Sequence, residues 1–118
     1  MNSKGLHLLA DLEGCPKQKL ARLSWREAHR FVRQQLKKHN LTYLGAVHHR
    51  FPGGGLTGAI ILSESHITFH TWPELGLVNL DVFVCNYTRD NRRAVEAIFA
   101  ALRRFFGAKK AKTHRIFR

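Results

Sequence analysis

Residues 77–85 read Leu77-Val78-Asn79-Leu80-Asp81-Val82-Phe83-Val84-Cys85, an alternation of aliphatic and mixed side chains. Every even position is aliphatic, whereas the odd positions carry polar, acidic and large apolar groups. Successive side chains of a β-strand point to opposite faces, so the pattern predicts a strand with one wholly apolar face. That face needs a covering layer, and the mixed face needs a different partner.

The rest of the chain predicts two helices and five more strands around this one. Alternation and turn signals place the other strands at 5–13, 41–51, 56–63, 66–72 and 111–117. Ser24 and Glu27 form a capping box that opens a helix to about Asn40, and Asp90 is the expected N-cap of a second helix that stops at Gly107. The predicted buried stripes are Trp25, Ala28, Phe31, Val32 and Leu36 in the first helix, and Ala94, Val95, Ile98, Leu102 and Phe105 in the second. The order β-α-β-β-β-β-α-β predicts an α+β fold, a two-layer α/β sandwich with two helices on one face of an antiparallel sheet.

The mixed face of this sheet should also be covered. Leaving Leu9, Trp72 and Phe83 in water would cost roughly 1.5–3 kcal/mol each. We therefore expect a second copy of the chain to pack sheet against sheet, giving an αββα homodimer.

Acidic residues concentrate on the predicted sheet of an otherwise basic protein. Five of the eight carboxylates lie in or beside strands: Asp11, Glu13, Glu64, Glu74 and Asp81. A cationic small ligand would find its complement there. The alternative is that these acids pair with nearby histidines and arginines and serve only the structure.

Length and composition limit the classes of protein that need be considered. The 118 residues suit a single domain, and no apolar run is long enough to cross a bilayer. The first residues do not resemble a signal peptide and there are only two cysteines, so we expect a cytoplasmic protein. The net charge of +12 leaves a basic nucleic-acid-binding module as an alternative, although the sequence has no aromatic RNA-binding motif and no helix-turn-helix signature.

Residues 63–74 carry most of the functional information, and they read Ser63-Glu64-Ser65-His66-Ile67-Thr68-Phe69-His70-Thr71-Trp72-Pro73-Glu74. This run resembles the self-cleavage site of the bacterial and archaeal S-adenosylmethionine decarboxylase proenzymes. The resemblance continues through Asp81-x-Phe83-x-Cys85 and includes His7-Leu8 in the opening strand. It covers nearly the whole chain and has no gaps from about His49 to Cys85.

The resemblance implies a cofactor made from the chain itself, by cleavage between Glu64 and Ser65. Ser65 would be the pyruvoyl precursor: its hydroxyl attacks the preceding carbonyl, a base removes its α-proton, and elimination cuts the chain. The pyruvoyl ketone forms a Schiff base with a substrate amine and takes up electrons as the carboxylate leaves. By the same resemblance His70 is the processing base, Cys85 is the proton donor of decarboxylation, and Thr57 stands where the family usually has a serine that assists processing.

Two further residues match substrate contacts of the family. Phe51 matches an aromatic that packs on the adenine or the sulfonium, and Glu74 matches a residue that binds the ribose hydroxyls. Asp11 and Glu13 join them as candidate substrate-binding acids on the mixed face. The implied activity is decarboxylation of S-adenosylmethionine for spermidine synthesis.

Departures from the family pattern leave a second substrate class open. The loop after Phe51 is Pro52-Gly53-Gly54-Gly55 rather than Leu-Pro-Tyr before the glycine, and Leu75 and Leu77 replace aromatic residues. Some homologues act on ornithine or arginine, which also combine an α-amino acid with a distal positive charge, so a pyruvoyl-dependent ornithine or arginine decarboxylase is the alternative. The sequence does not distinguish a dimer from a higher oligomer, and it does not address activation by putrescine.

The spacing of Ser65 and His70 raises a question of geometry. They are five residues apart, so a regular strand puts them on opposite faces. Either the chain bends at Glu64-Ser65, or Ser65 and Cys85 of one subunit work with Phe51, Thr57, His70 and Glu74 of the other, as the resemblance implies. His66 and His70 lie four apart on one face and could hold zinc, but no third ligand is obviously spaced to help, so we predict no metal site.

Overall fold

The computed structural model describes residues 4–63, 65–87 and 89–118. The elements within them are β1 Leu6–Glu13, α1 Lys17–Arg22, α2 Trp25–Lys38, β2 Tyr43–Arg50, β3 Leu56–Leu62, β4 Ser65–Trp72, β5 Leu77–Val84, α3 Arg92–Phe106 and β6 Lys110–Phe117. A 3-10 turn, Pro73–Leu75, separates β4 from β5. All the predicted strands and both predicted helices are present. The short helix α1 is an addition that the sequence patterns did not predict.

The six strands form one antiparallel sheet in the order β2-β3-β4-β5-β1-β6. Strands β2 to β5 follow one another through short connections, and β1 then lies between β5 and the final strand β6. This arrangement puts the first strand next to β5, so their side chains share both faces of the sheet.

One face of the sheet is the hydrophobic core, as the alternation in β5 predicted. Val78, Leu80, Val82 and Val84 are buried, together with Leu6, Leu8 and Leu12 of β1. Helix α3 contacts β1 and β5, and α2 contacts α3 and β2. The predicted α+β sandwich, with its helices on one face of an antiparallel sheet, is confirmed.

The helix ends confirm two of the three predicted caps. Ser24 Oγ accepts a hydrogen bond from the Glu27 N–H at 3.0 Å, as a capping box requires. Gly107 ends α3 with φ of 72°, a left-handed conformation that glycine adopts without a Cβ clash. The third prediction was wrong, because Asn91 is the N-cap of α3 and the Asp90 carboxylate instead binds the backbone and side chain of Arg92.

The buried stripe of α3 differs from the prediction at its C-terminal end. The buried side chains are Val95, Ile98, Phe99, Ala101, Leu102 and Phe106. Phe105 is only half-buried and stacks on Phe31, with 4.4 Å between ring centroids. Steps of three and four residues from Val95 lead through Phe99 and Leu102 to Phe106, so the helical period takes Phe105 off the core stripe.

The start of α2 packs closely on β3. A Cβ at Gly58 would lie 2.5 Å from the Trp25 ring and 2.8 Å from the Phe69 ring. The Trp25 ring also stacks on His48 at 4.6 Å between centroids. Only a glycine admits this approach, so position 58 fixes where α2 crosses the sheet.

The opposite face of the sheet carries the mixed side chains. Leu9 and Phe83 are half-buried on it, and the Arg118 guanidinium lies 5.8 Å from the centre of the Phe83 ring. Trp72 is 44% exposed. We call this surface the open face. In the described part of the chain, no helix has the length and apolar character needed to cross a membrane.

Candidate active site

Ser65 opens strand β4 and pairs in register with Val84 of β5. Because Val84 is buried in the core, the register puts Ser65 on the helix-covered side of the sheet. The Ser65 hydroxyl accepts a hydrogen bond from the Cys85 N–H at 3.2 Å and donates to the Ser63 carbonyl at 3.3 Å. The chain therefore holds the predicted nucleophile directly beside the predicted proton donor.

A cavity of about 590 Å³ adjoins this pair of residues. Its lining consists of Asn40, Leu41, Thr42, Ser63, Ser65, Val84, Cys85, Tyr87, Arg89 and Asn91. The side chain of Asn91, which is buried, donates to the Cys85 carbonyl at 2.8 Å and so fixes the backbone that carries the thiol. Ser65 and Cys85 thus face a built cavity rather than open solvent.

His70 and Thr57 form a second pair, on the open face. They are register partners on β4 and β3, and Thr57 Oγ1 lies 2.9 Å from His70 Nδ1. The hydroxyl fixes the orientation of an imidazole that is otherwise exposed. This contact brings together two residues that the family motif had assigned to processing.

A row of polar side chains crosses the whole open face at the level of His70. Successive register partners in this row are His49, Thr57, His70, Asn79, Asp11 and Lys112. Trp72 Nε1 donates to Asn79 Oδ1 at 2.7 Å, and Asn79 Nδ2 donates to Asp11 Oδ1 at 2.8 Å. The row connects a candidate substrate-binding acid, Asp11, to the strand that carries His70.

The remaining candidates lie at the same end of the sheet. Glu13 forms an ion pair with Lys112 at 3.3 Å, and Glu74 is exposed in the 3-10 turn after Trp72. Phe51 is 50% exposed at the tip of the β2–β3 connection. This end of the open face therefore carries an aromatic surface and three carboxylates, those of Asp11, Glu13 and Glu74.

Arg50 holds the loop that carries Phe51. Its guanidinium donates to the Gly54 carbonyl at 3.0 Å and to the Leu23 carbonyl between α1 and α2. The loop is closed further by the hydrogen bond from the Phe51 N–H to the Gly55 carbonyl, at 2.8 Å. The tip of the β2–β3 connection is therefore anchored to the helical layer.

The two pairs do not meet within one chain. Strand β4 runs without interruption from Ser65 to Trp72, so the five residue steps from Ser65 to His70 span roughly 16 Å along it. No bend in the described strand brings the two together. The predicted cleavage residue Glu64 lies outside the described residues.

A third polar cluster lies at the Ser65 end of the open face, and a family match is the one signal that marks it in the sequence. His7 is buried, and its Nε2 has no hydrogen-bond partner among the described residues, because Asp81 Oδ2 lies 3.9 Å away. Burial lowers the pKa of His7; the Asp81 charge opposes this shift, and His66 and Arg118 add to it. His7 thus lies at one end of a surface that the sequence predicts to be covered, where burial favours its neutral form.

The zinc alternative for His66 and His70 gains nothing from the structure. Residues 4–63, 65–87 and 89–118 contain no group of three or more histidine, cysteine or carboxylate side chains placed to hold a metal ion. His66 instead lies against His7 and Phe83, with 5.7 Å between ring centroids in each case.

Some residues of the site were not identified from the sequence. Asn79, Asn91 and Arg89 act through hydrogen bonds to segments distant along the chain, as the Asn79–Asp11 bond illustrates. No local pattern marks such residues. His7 did carry a signal, because the family motif includes it.

Comparisons with known proteins identify the family to which this sequence is similar. Residues 6–118 match the sequence profile of the S-adenosylmethionine decarboxylase family. An S-adenosylmethionine decarboxylase proenzyme of Archaeoglobus fulgidus is 40% identical over 76% of this chain and 79% of its own length. A proenzyme of the same name from Clostridium botulinum is 36% identical, covering 100% of this chain and 97% of its own.

A solved structure agrees as well. The crystal structure of the adenosylmethionine decarboxylase from Aquifex aeolicus superposes with a TM-score of 0.82 and 27% sequence identity. The match covers 98% of this chain and 91% of that one. With the profile match and the relatives, this similarity shows that the chain belongs to the S-adenosylmethionine decarboxylase family.

Proposed function

We propose that this chain is the proenzyme of a decarboxylase that acts on S-adenosylmethionine through a pyruvoyl group formed from Ser65. Family membership supports the reaction, because the matched relatives bear the name of that enzyme. The observation that carries the proposal is the hydrogen bond from the Cys85 backbone to the Ser65 hydroxyl, at the edge of a cavity. It supports the proposal because the hydroxyl of the proposed nucleophile and the backbone of the proposed proton donor adjoin space for a small substrate.

The surroundings of Ser65 fit a group built from its own backbone. Ser65 is the first residue of β4, so a break before it would leave the rest of the strand paired with β3 and β5. Its hydroxyl accepts only one hydrogen bond from the described residues, which leaves room for a nucleophilic lone pair. A pyruvoyl group at this position would supply a ketone that takes up the substrate amine and the electrons left by carbon dioxide.

The chain's own side chains then have separate roles in the proposal. Cys85, a half-buried residue whose backbone N–H bonds to Ser65, supplies the proton that the decarboxylated carbon needs. His70 removes the Ser65 α-proton during processing, with its ring oriented by Thr57. Thr57 keeps the hydroxyl that the family usually supplies from a serine, so we expect processing to survive.

Two copies of the chain are needed to assemble this site. Ser65 and His70 lie at opposite ends and on opposite faces of β4, which no side-chain movement can overcome. A homodimer that buries the open face would bring Phe51, Thr57, His70 and Glu74 of one chain toward Ser65 and Cys85 of the other. It would also cover Leu9, Phe83 and Trp72, which the isolated chain leaves partly in water.

The open face suits the cationic part of the substrate. Asp11, Glu13 and Glu74 supply negative charge at the end of the sheet where the ring of Phe51 is exposed. A sulfonium or adenine could pack on that ring while the carboxylates offset the positive charge. Glu74 is the acceptor that we assign to the ribose hydroxyls.

The test is intact mass followed by an assay of carbon dioxide release. We expect the purified wild-type chain to give a fragment ending at Glu64 and a second fragment beginning with a blocked residue 65, whereas Ser65→Ala stays whole. The cleaved protein should release carbon dioxide from S-adenosylmethionine and not from ornithine or arginine. Cleavage followed by release from ornithine or arginine alone would reassign the substrate, and an uncleaved wild type would overturn the proposal.

A further inference from the structure

The cavity beside Ser65 is bordered by a chain of hydrogen bonds that is nearly closed. On one side the Ser65 hydroxyl donates to the Ser63 carbonyl, and the Ser63 N–H donates to the Thr42 carbonyl at 3.1 Å. On the other side the Cys85 N–H donates to Ser65, and Asn91 donates to the Cys85 carbonyl. Both sides lead away from Ser65 around the cavity wall.

Arg89 closes the gap between these two sides. Its Nη2 donates to the carbonyls of His39 and Asn40, each at 2.8 Å, just beyond the C-terminal end of α2. The loop after β5 is thereby tied to the segment that leads into β2. The guanidinium is therefore pinned at the cavity wall, although its side chain is exposed.

The guanidinium of Arg89 has donors that are not used in these bonds, and no carboxylate among the described cavity residues competes for them. Within the described part of the chain, neither Nε nor Nη1 of Arg89 meets an acceptor. The described residues that line the cavity include no carboxylate, so Arg89 is the one charged group among them. A cation fixed in this way beside polar, uncharged walls favours an anion.

We propose that Arg89 binds the α-carboxylate of the substrate at the wall of the cavity that holds Ser65 and Cys85. The assignment rests on the proposed function, because it presumes an α-amino acid whose amine reaches residue 65. Substrate recognition is then divided by charge. Arg89 binds the carboxylate end in the cavity, and the acids of the open face bind the cationic end. Arg89 would thus be a specificity residue for substrates that carry both charges.

The role has a kinetic signature of its own. The carboxylate loses its charge as carbon dioxide leaves, so an arginine that holds it stabilises the bound substrate more than the transition state. Removing the guanidinium should therefore raise KM without lowering kcat, and kcat should rise where the lost stabilisation of the bound substrate exceeds that of the transition state. A residue that only supported the fold would lower kcat as well, by disturbing Ser65 and Cys85.

The experiment compares self-cleaved wild type with Arg89→Met, Arg89→Lys and Arg92→Met. Arg92 is the matched control, because it pairs with Asp90 outside the cavity lining. We expect Arg89→Met to raise KM for S-adenosylmethionine by at least about tenfold, with kcat unchanged or raised. Arg89→Lys should recover part of the loss, and Arg92→Met should resemble the wild type.

Two inhibitors separate carboxylate binding from a structural effect. S-adenosylhomocysteine keeps the carboxylate, so Arg89→Met should weaken its inhibition, whereas inhibition by the decarboxylated product should stay the same. Equal weakening of both, or an unchanged KM in a folded and cleaved variant, would overturn the assignment. If wild type is cleaved yet inactive, the proposed function fails first. Binding of S-adenosylmethionine to Ser65→Ala with and without Arg89→Met then tests the assignment alone, and equal affinities would reject it.

Discussion

The two ends of strand β4 differ in how their polar groups are satisfied. At the Ser65 end, hydroxyl, amide and carbonyl groups bond to one another within the chain, around a cavity. At the other end, His70, Asn79 and Asp11 stand in a row across the surface of the sheet. The Ser65 end therefore forms the wall of a cavity, whereas the His70 end is a polar surface over which no described residue packs.

This difference indicates what each end is for. The Ser65 end has the groups that we propose to react with the substrate, but the proposed processing base, His70, lies toward the other end of β4. The open end has a base held by a hydroxyl, together with an aromatic ring and several acids, but it has no nucleophile of the Ser65 kind. Each end supplies what the other lacks, which is the arrangement expected of a site divided between two copies.

The strongest test of this division is complementation between two inactive chains. We expect Ser65→Ala and His70→Ala to remain uncleaved when each is made alone. In mixed dimers the His70→Ala chain should be cleaved, because its intact Ser65 meets the His70 of the other chain. Mass spectrometry on differently tagged chains identifies which one is cut.

A confirmed mixed dimer in which neither chain is cut would contradict a site that combines the two ends of β4 from different chains. Cleavage of His70→Ala alone would contradict it differently, since another base would then serve Ser65 within one chain. A strictly monomeric mass of the active wild type at micromolar concentration would also count against the division.

Cys85 separates catalysis from processing at the Ser65 end. Cys85→Ala should still be cleaved, because the bond to the Ser65 hydroxyl comes from its backbone N–H. Its kcat should fall by roughly 10²- to 10⁴-fold, the usual contribution of a positioned proton donor. Cys15→Ala is the control, because Cys15 is buried in the core, where its thiol contacts the Leu12 carbonyl.

Two results would contradict the roles expected of Cys85. If Cys15→Ala and Cys85→Ala lower kcat equally, the thiol of Cys85 has no special chemistry. If Cys85→Ala blocks cleavage, the processing and catalytic roles are not separable at this end of β4.

The fold was predictable where a pattern is local. Alternation in β5 correctly marked Val78, Leu80, Val82 and Val84 as core, because a strand gives each face every second residue. The capping box at Ser24 was equally local. The assignment of Thr57 and His70 to one task came from the family motif, and their contact agrees with it.

The features that the sequence did not predict correctly each have a physical cause. Helix α1 has six residues, one buried side chain and no side-chain cap, so its stability comes from its neighbours rather than its sequence. Asp90 lost the N-cap because Arg92 offered its carboxylate a charged partner. Arg89 was not identified because its carbonyl partners after α2 meet it only in the folded chain, and Asn91 was not identified because no sequence pattern marks its bond to the nearby Cys85 carbonyl.

Substitution of Asn91 and Asn79 tests how much the hydrogen bonds at each end of β4 contribute to the free energy of unfolding. Asn91→Ala leaves the Cys85 carbonyl without the partner that Asn91 supplied in a buried setting, so unfolding free energy should fall by about 1–3 kcal/mol. Asn79→Ala removes two hydrogen bonds on a more accessible surface and should cost about 1 kcal/mol or less in the isolated chain. Urea denaturation at several protein concentrations measures both.

The dependence on protein concentration distinguishes Asn79→Ala from Asn91→Ala a second time. If a second copy covers the open face, the cost of Asn79→Ala should grow as protein concentration rises, because the lost bonds are then buried in the dimer. The cost of Asn91→Ala should stay constant. The opposite pattern would mean that the interface lies at the cavity end.

The smallest expected effect concerns pH and the buried imidazole of His7. Its pKa lies below the ordinary value of 6.5, chiefly because of burial. Between the lowered value and 6.5 the unfolded chain binds more protons than the folded one, so stability should fall as pH falls through that window. His7→Gln should flatten this part of the dependence of unfolding free energy on pH.

His114→Gln is the control for this measurement, since His114 is an exposed histidine on the adjacent strand β6. It should leave the slope unchanged. The Asp81 carboxylate 3.9 Å from His7 works against the effect, because it favours the protonated ring. Asp81→Asn should therefore steepen the loss of stability below pH 6.5, whereas a shallower slope would mean that the charge of Asp81 does not favour the protonated ring of His7.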